Sequence, residues 1–308
     1  MGSMRDGEPL VSIVIPAYNA AQYLREAIDS TLNQTYSNIE LIVLDDGSTD
    51  ETRDILGSYP QSSFYWESHA NIGQSATLNK GWAMAKGSIL SYLSADDSLL
   101  PNAVQLSVES LLRHEGVIMT YGDYMLMDEN SNDIQRVHTP EFDYRQMVSD
   151  IVVQPGPGVF FYKAAFEKIG GWNPGCRQVP DLEYWLRLGL LGEFLRVPTV
   201  LAKFRVHDES QTYMEASVEK SEECVHVIEN YFRMESLPSE VRTLERQSKA
   251  SAHLFAARMH LRAGRYSYMV NHLMRMFVAN PWSVFSYRTV KMIINGLLFH
   301  CKQKTRNN

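Results

Sequence analysis

Residues 11–15, 39–44 and 89–93 are apolar except for Ser12, Glu40 and Ser91 and do not alternate, the pattern of strands buried on both faces. Between them the spacing turns helical. Tyr23, Leu24, Ala27, Ile28 and Leu32 share one helix face, and Ala76, Leu78, Trp82 and Ala85 share another within a helix predicted over 73–85. A third strand is predicted over 64–67, a helix over 102–113 and a strand over 117–121. This alternation predicts an α/β chain whose mostly parallel sheet is flanked by helices. Residues 123–145 are polar and read as an irregular loop or flap. Pro155, Gly156, Pro157 and Gly158 make 151–158 a fixed turn. Pro180 opens a helix with Leu182, Trp185, Leu186 and Leu190 on its apolar face, and a strand over 200–206 ends at His207. From about residue 213 the periodicity is helical throughout, predicting helices over 214–234, 240–263, 266–279 and 282–300. The expected division is a sheet domain over 1–213 and an α-helical domain over 214–308.

The chemistry sits where the apolar runs end. The first breaks at Pro16-Ala17-Tyr18-Asn19, which puts Asn19 in place to cap a helix and Tyr18 on the ligand edge, to stack on a base or only to pack. The second runs into Asp45-Asp46-Gly47-Ser48-Thr49-Asp50, with Gly47 for a sharp turn and Ser48 or Asp50 to cap the helix near Glu51. The third ends in Ser94-Ala95-Asp96-Asp97. Adjacent ionised carboxylates repel, and a fold that buries them needs a compensating cation, usually a divalent metal. Acidic loops at the carboxyl ends of strands are also where open α/β sheets bind ligands. One loop then grips a nucleoside and the other a metal-bound diphosphate. Solvated loop aspartates that cap the following helices are the competing reading.

Composition narrows the class. The formal charge of −7 argues against general affinity for nucleic acid. Cys176, Cys224 and Cys301 are far apart and odd in number, which fits a reducing, cytoplasmic compartment rather than a disulfide framework. Met1-Gly2-Ser3-Met4 reads as an expression scar rather than a signal peptide, and no apolar run is long enough to span a bilayer. The stretch 282–301 is apolar with Arg288 and Lys291 at its margins, which suits either a buried bundle helix or a helix lying on an anionic membrane.

The ordered set of motifs resembles the inverting family 2 glycosyltransferases with the GT-A fold. The motifs are residues 12–19, residues 45–50, Asn71-Ile72-Gly73 with Asn79-Lys80-Gly81, residues 94–97, Gln154-Pro155-Gly156, Gly170-Gly171-Trp172, residues 181–187 and Phe204-Arg205-Val206-His207. The resemblance implies a Rossmann-like nucleotide-binding half. It implies donor contacts from Pro16, Tyr18, Asn19, Asp45, Asp46, Asn71, Gly73, Asn79, Asp96 and Arg205. It implies a divalent metal, Mn2+ or Mg2+, on Asp97 with Asp96 and His207, and a general base at Asp181 with Glu183 as the alternate. The substrates it implies are a nucleotide-sugar, most simply a UDP-sugar, and the hydroxyl of a glycan, lipid-linked or protein-linked acceptor used in bacterial surface-glycan synthesis. A peripheral place at the inner face of the membrane follows from such an acceptor. Arg187 is expected on a carboxylate or phosphate, or in solvent. Two departures stand out: Ser94 replaces the first Asp of the usual metal loop, and Leu78 stands where an Arg is common. They keep a catalytically inactive nucleotide-sugar-binding scaffold open. A nucleotidyltransferase is disfavoured, because no Gly-rich loop with Arg and Lys follows the first strand.

Overall fold

The computed structural model describes residues 7–207, 216–287 and 289–296. Strands and helices alternate as β1 (Val11–Ala17), α1 (Leu24–Leu32), β2 (Ile39–Asp45), α2 (Thr52–Gly57), β3 (Tyr65–Ser68), α3 (Gln74–Met84) and β4 (Ile89–Tyr92). There follow β5 (Ser98–Leu99), α4 (Ala103–Arg113), β6 (Val117–Met127), β7 (Asp133–Val137), α5 (Tyr144–Asp150), β8 (Phe160–Tyr162), α6 (Lys163–Ile169), α7 (Pro180–Leu188) and β9 (Glu193–Arg205). The helical remainder is α8 (Val218–Arg233), α9 (Ser239–Arg242), α10 (Glu245–Arg262), α11 (Tyr266–Ala279) and a 3₁₀ turn, Pro281–Phe285.

The chain divides into two compact units, interleaved in sequence where a single boundary at 213/214 is expected. One comprises Met1–Phe142, Gln154–Gly175 and Arg187–Ser210; the other Asp143–Val153, Cys176–Leu186 and Gln211–Asn308. The first unit holds the whole sheet, ordered β3-β2-β1-β4-β8-β6-β9-β5 with β7 on β6. The pairs β3–β2, β2–β1, β1–β4 and β6–β9 are parallel, and β8, β5 and β7 run the other way. This is the expected mostly parallel α/β sheet. Its central strands are fully covered: Val11, Ile13, Val14, Ile15 and Ile89 have no exposed surface, and Leu24, Ile28, Val104 and Phe160 close over them. Parallel register brings Ala17 beside Asp45 and Asp45 beside Ser68, so the acidic loop of β2 emerges between the ends of its two neighbours.

Three local readings change. β1 continues through Pro16, which lies opposite Leu44; β4 pairs with β1 only as far as Val14, so Pro16 has no donor to supply on that side. Residues 123–145 are not an irregular flap: β6 runs on to Met127 against β9, and β7 folds back on it as a hairpin. β7 is mostly exposed and so lacks the alternation that marks a strand. The helix expected over 240–263 is two, α9 and α10.

In the second unit α8, α10 and α11 form a bundle, with Leu273, Ala279 and Met292 packed on Ala250, Leu254 and Met276. The last predicted helix starts as a 3₁₀ turn, whose Trp282 N–H is capped by Asn280 Oδ1 at 3.2 Å, and is helical over 289–296. Its end, the 1–4 segment and the 213/214 boundary lie outside the described residues. No helix among the described residues is long and apolar enough to cross a membrane.

Candidate functional site

The first acidic loop is a knot tied from short side chains. Asn19 takes a left-handed φ of 48° instead of capping α1, whose N-cap is Tyr23. Its Oδ1 accepts from Thr49 N at 2.9 Å, and its own N–H donates to Ser48 Oγ at 2.9 Å. Ala21 N donates to Asp50 Oδ2 at 3.0 Å. The loops after β1 and β2 are therefore one rigid rim, with Tyr18 half exposed upon it.

Asp45 and Asp46 are buried, and protein donors already engage them. Asp45 accepts from Ser48 N at 3.0 Å and from Ser68 Oγ at 2.6 Å. Asp46 accepts from Ile72 N at 2.6 Å and Gly73 N at 2.9 Å, so it clamps the Asn71-Ile72-Gly73 turn, where Gly73 has φ of 87°. Asn71 stays exposed. Gly47, at φ of 76°, fits because a Cβ would lie 2.9 Å from Asn71 N. Leu78 is fully buried, so a core contact occupies the position of the missing Arg.

Asn79 and Arg205, expected on the donor, are spent on the protein. Asn79 receives Trp172 N–H at 2.8 Å and donates to Trp172 O at 2.7 Å. A Cβ at Gly171 would come within 1.9 Å of Asn79 Oδ1, which explains why glycine precedes Trp172. Arg205 is 1% exposed; its guanidinium donates to Glu26 at 2.6 Å, Asp96 O at 2.8 Å, Ser131 Oγ at 2.9 Å and Asp128 O at 3.0 Å, and lies over the Tyr23 ring. It positions the loop that carries Asp96 and Asp97. Arg187 donates to Ile169 O and Gly171 O, each at 2.7 Å, and so holds the turn that carries Gly170 and Gly171.

The second acidic loop is the electrostatically strained one. Asp97 is buried, accepts from Arg205 N–H at 2.9 Å, and has its carboxyl pushed well above the usual carboxylate range by burial and by the neighbouring charge of Asp96. Asp96 is more exposed and meets His207 Nε2 at 3.0 Å. Carboxylate oxygens and an imidazole, with a buried acid whose proton affinity stays raised despite Arg205, fit a hard divalent cation. Asp96, Asp97 and His207 do not gather three ligand atoms within 4.8 Å, the one such group among the described residues lying elsewhere. A cation held by so few protein atoms would need further ligands, which substrate phosphate oxygens commonly supply to Mg2+.

In the second unit Asp181 starts α7. Its Oδ1 accepts from Leu182 N at 2.8 Å, and burial followed by the charge of Glu223 raises its carboxyl above the ordinary value. Glu223 of α8 was not visible in the motif pattern. It accepts from the N–H groups of Arg177, Gln178 and Val179, each at 2.7 Å, and so fixes the loop that leads into α7. Glu183, two positions along, donates its N–H to Val179 O at 3.2 Å. A further missed group is Asp123 in the first unit. Burial works to raise its carboxyl, but hydrogen bonds from Arg196 at 2.7 Å and Arg136 at 2.8 Å outweigh this and hold it far below the usual range.

The three-ligand group is Glu222, His260 and His272 in the helical unit. Arg265 Nε donates to His260 Nδ1 at 2.9 Å, and arginine can only donate. Neutral His260 therefore carries its proton on Nε2, 3.0 Å from Glu222 Oε1, and offers no lone pair there. A metal-bound histidine normally donates its second N–H, which Arg265 forbids. The cluster is a directed proton network: His272 Nε2 lies 2.8 Å from the same oxygen, and His272 Nδ1 shares one proton with His253 Nδ1 at 3.1 Å. Burial first, then the charges of His272 and Arg275, lower His253 from 6.5 to about 4. The unfolded chain thus binds the extra proton first, so this contribution to stability is complete above pH 6.5 and is lost as pH falls toward 4. Thermal melts across that window are expected to show a smaller fall for His253→Asn than for the parent chain; equal falls would contradict the assignment.

The comparisons agree with this architecture. The pattern described as Glycosyl transferase family 2 matches residues 12–170, more than half of the chain. The chain belongs to this family. An uncharacterized glycosyltransferase of Rickettsia typhi is 38% identical over 219 residues, 66% of each chain. Chondroitin synthase of Escherichia coli is 26% identical over 231 residues, 73% of this chain and 32% of the synthase. The chain thus spans about two thirds of the first relative and one third of the second. Among solved structures, S. aureus TarS 1-349 in complex with UDP-GlcNAc has a TM-score of 0.65 at 14% identity, covering 96% of this chain and 92% of that one. A mannosyltransferase from Pyrobaculum calidifontis with GDP-Man and Mn2+ has a TM-score of 0.60 at 14% identity, covering 98% and 89%. These neighbours share the GT-A fold with this chain.

Proposed function

We propose that the chain is an inverting, metal-dependent glycosyltransferase that moves a sugar from a nucleoside-diphosphate donor, most simply a UDP-sugar, to an acceptor hydroxyl. The observation that carries this is the buried Asp97 beside Asp96 and His207, two adjacent carboxylates at the carboxyl end of a parallel strand whose burial raises Asp97 despite the nearby Arg205. Support comes from the solved neighbours, whose ligands are UDP-GlcNAc and GDP-Man with Mn2+. A divalent cation on Asp97 and Asp96 would supply Lewis-acid neutralisation of the departing diphosphate.

The residues divide the remaining work. Tyr18 on its rim offers a face for the base, and the clamped turn at Asn71 and Gly73 offers backbone for the nucleoside. Asp45 and Asp46 hold those surfaces in shape. Asp181, with its raised proton affinity, takes the acceptor hydroxyl proton on a carboxylate oxygen. The acceptor oxygen bonds to the anomeric carbon as the carbon–phosphate oxygen bond breaks, and the nucleoside diphosphate leaves with the electron pair. One in-line displacement inverts the centre and forms no sugar-enzyme bond. Relatedness to a chondroitin synthase favours a growing glycan or a lipid-linked glycan as acceptor, in surface-polysaccharide synthesis at the cytoplasmic face of a membrane.

A thermal-shift panel of UDP-, GDP- and dTDP-sugars with Mn2+ tests the donor class. The matching donor at 100 times its dissociation constant is expected to add about 2.7 kcal/mol of stability. A panel in which no nucleotide shifts the melt overturns the reading.

A further inference from the structure

We propose that the outward face of α11 and the 3₁₀ turn after it dock the helical unit on an anionic lipid surface. α11 is two-sided. His272 and Met276 are buried, while Leu273 and Ala279 pack into the bundle. About half a turn away, Val270, Met274, Phe277 and Val278 recur at helical spacing and stand exposed, and in the 3₁₀ turn that follows Trp282 and Phe285 are exposed too. Val278 is 76%, Trp282 81% and Phe285 79% exposed. A contiguous apolar stripe of this kind marks an interaction surface rather than scattered surface residues.

The charge pattern selects the partner. From Arg246 to Asn308 the chain has eleven Lys and Arg and no Asp or Glu; residues 1–245 have eighteen against thirty-six. An acidic protein has therefore kept every carboxylate off the segment that bears the stripe. Arg275 and Lys291 are exposed cations within it. Large apolar groups with cations and no acids describe an interfacial helix, whose affinity sums apolar insertion and attraction to anionic headgroups. A second copy of the chain fits poorly, because a two-fold interface would set this acid-free, cation-bearing segment against itself. The surface rests on the transferase reading only for its purpose, which is to hold the enzyme where a lipid-linked acceptor lies.

The test is co-sedimentation of the full chain with vesicles of phosphatidylglycerol and phosphatidylcholine, and with phosphatidylcholine alone. Binding is expected to the anionic vesicles at low salt, to weaken as salt rises, and to be slight on phosphatidylcholine. Met274→Glu with Val278→Glu is expected to weaken it at least about tenfold while circular dichroism and melting temperature stay unchanged, since both side chains are exposed. Absence of binding at low salt, or full binding by the double variant, overturns the proposal. So does a concentration-dependent dimer in sedimentation that the double variant abolishes, which would assign the face to a second copy. No nucleotide enters this assay, so vesicle binding by a chain that turns over no donor would sink the transferase reading and leave this one standing.

Discussion

Asp97→Ala is expected to abolish metal-dependent donor binding and transfer. The remaining carboxylate, Asp96, is half-committed to His207 and is too little to hold a diphosphate-bound cation alone. Alanine also strips the acceptor from a buried Arg205 N–H, which costs about 1–3 kcal/mol by itself. Asp97→Asn separates the two effects. Its amide oxygen keeps the Arg205 bond while the charge is gone. Because burial and Asp96 both penalise the Asp97 carboxylate, the asparagine variant is expected to melt at or above the parent temperature near neutral pH and still to lose metal-dependent binding. Asp96→Ala is expected to be milder. Calorimetric titration of the donor nucleotide with Mn2+ reads all three, and donor binding by Asp97→Asn at parental affinity, unchanged by EDTA, would contradict the metal assignment.

Asp181→Asn is expected to lower transfer by about 10²–10⁴, the range for a positioned base, with donor affinity unchanged. Asparagine keeps the size and the acceptor for Leu182 N–H, so α7 still starts where it does. The pH profile carries the same information with a definite sign. The raised Asp181 carboxyl must be ionised to act, so activity is expected to rise with pH through a value above that of an ordinary aspartate, and the asparagine variant is expected to lose that limb. Glu223→Gln should slow transfer less and shift the limb downward, because it removes a charge that raises Asp181 while its amide oxygen still accepts from the Gln178 and Val179 N–H groups, losing only the acceptor of Arg177 N–H. Parental activity in Asp181→Asn together with loss in Glu183→Gln would move the base two positions along the helix.

The elements with strong sequence signals are those buried on both faces. β1, β2 and β4 announce themselves through runs over 11–15, 39–44 and 89–93 that are apolar but for Ser12, Glu40 and Ser91, and the first two of these polar groups pair with each other. β7 left no such trace, being exposed on both sides. The site loops were visible as places but not as roles. Asp45, Asp46, Asn79 and Arg205 have the chemistry of ligand-binding groups, and only the fold reveals partners as distant in sequence as Trp172 from Asn79 or Glu26 from Arg205. The same applies to Glu223, which lies 45 positions from the Gln178 N–H that it accepts. A side chain's type states what it can bind; the competition for it is settled by neighbours that one-dimensional spacing does not bring together.

The central claim is turnover of a nucleotide-sugar with metal, as against its storage on an inactive scaffold. The direct measurement is release of nucleoside diphosphate from UDP-, GDP- and dTDP-sugars, first with Mn2+ and then with excess EDTA. Slow release from at least one donor is expected even without acceptor, because water can take the acceptor's place, and it is expected to be lost with EDTA and in Asp97→Asn. A donor that binds tightly with Mn2+ and is never cleaved would make the chain a scaffold, and release indifferent to EDTA would contradict the metal-dependent mechanism.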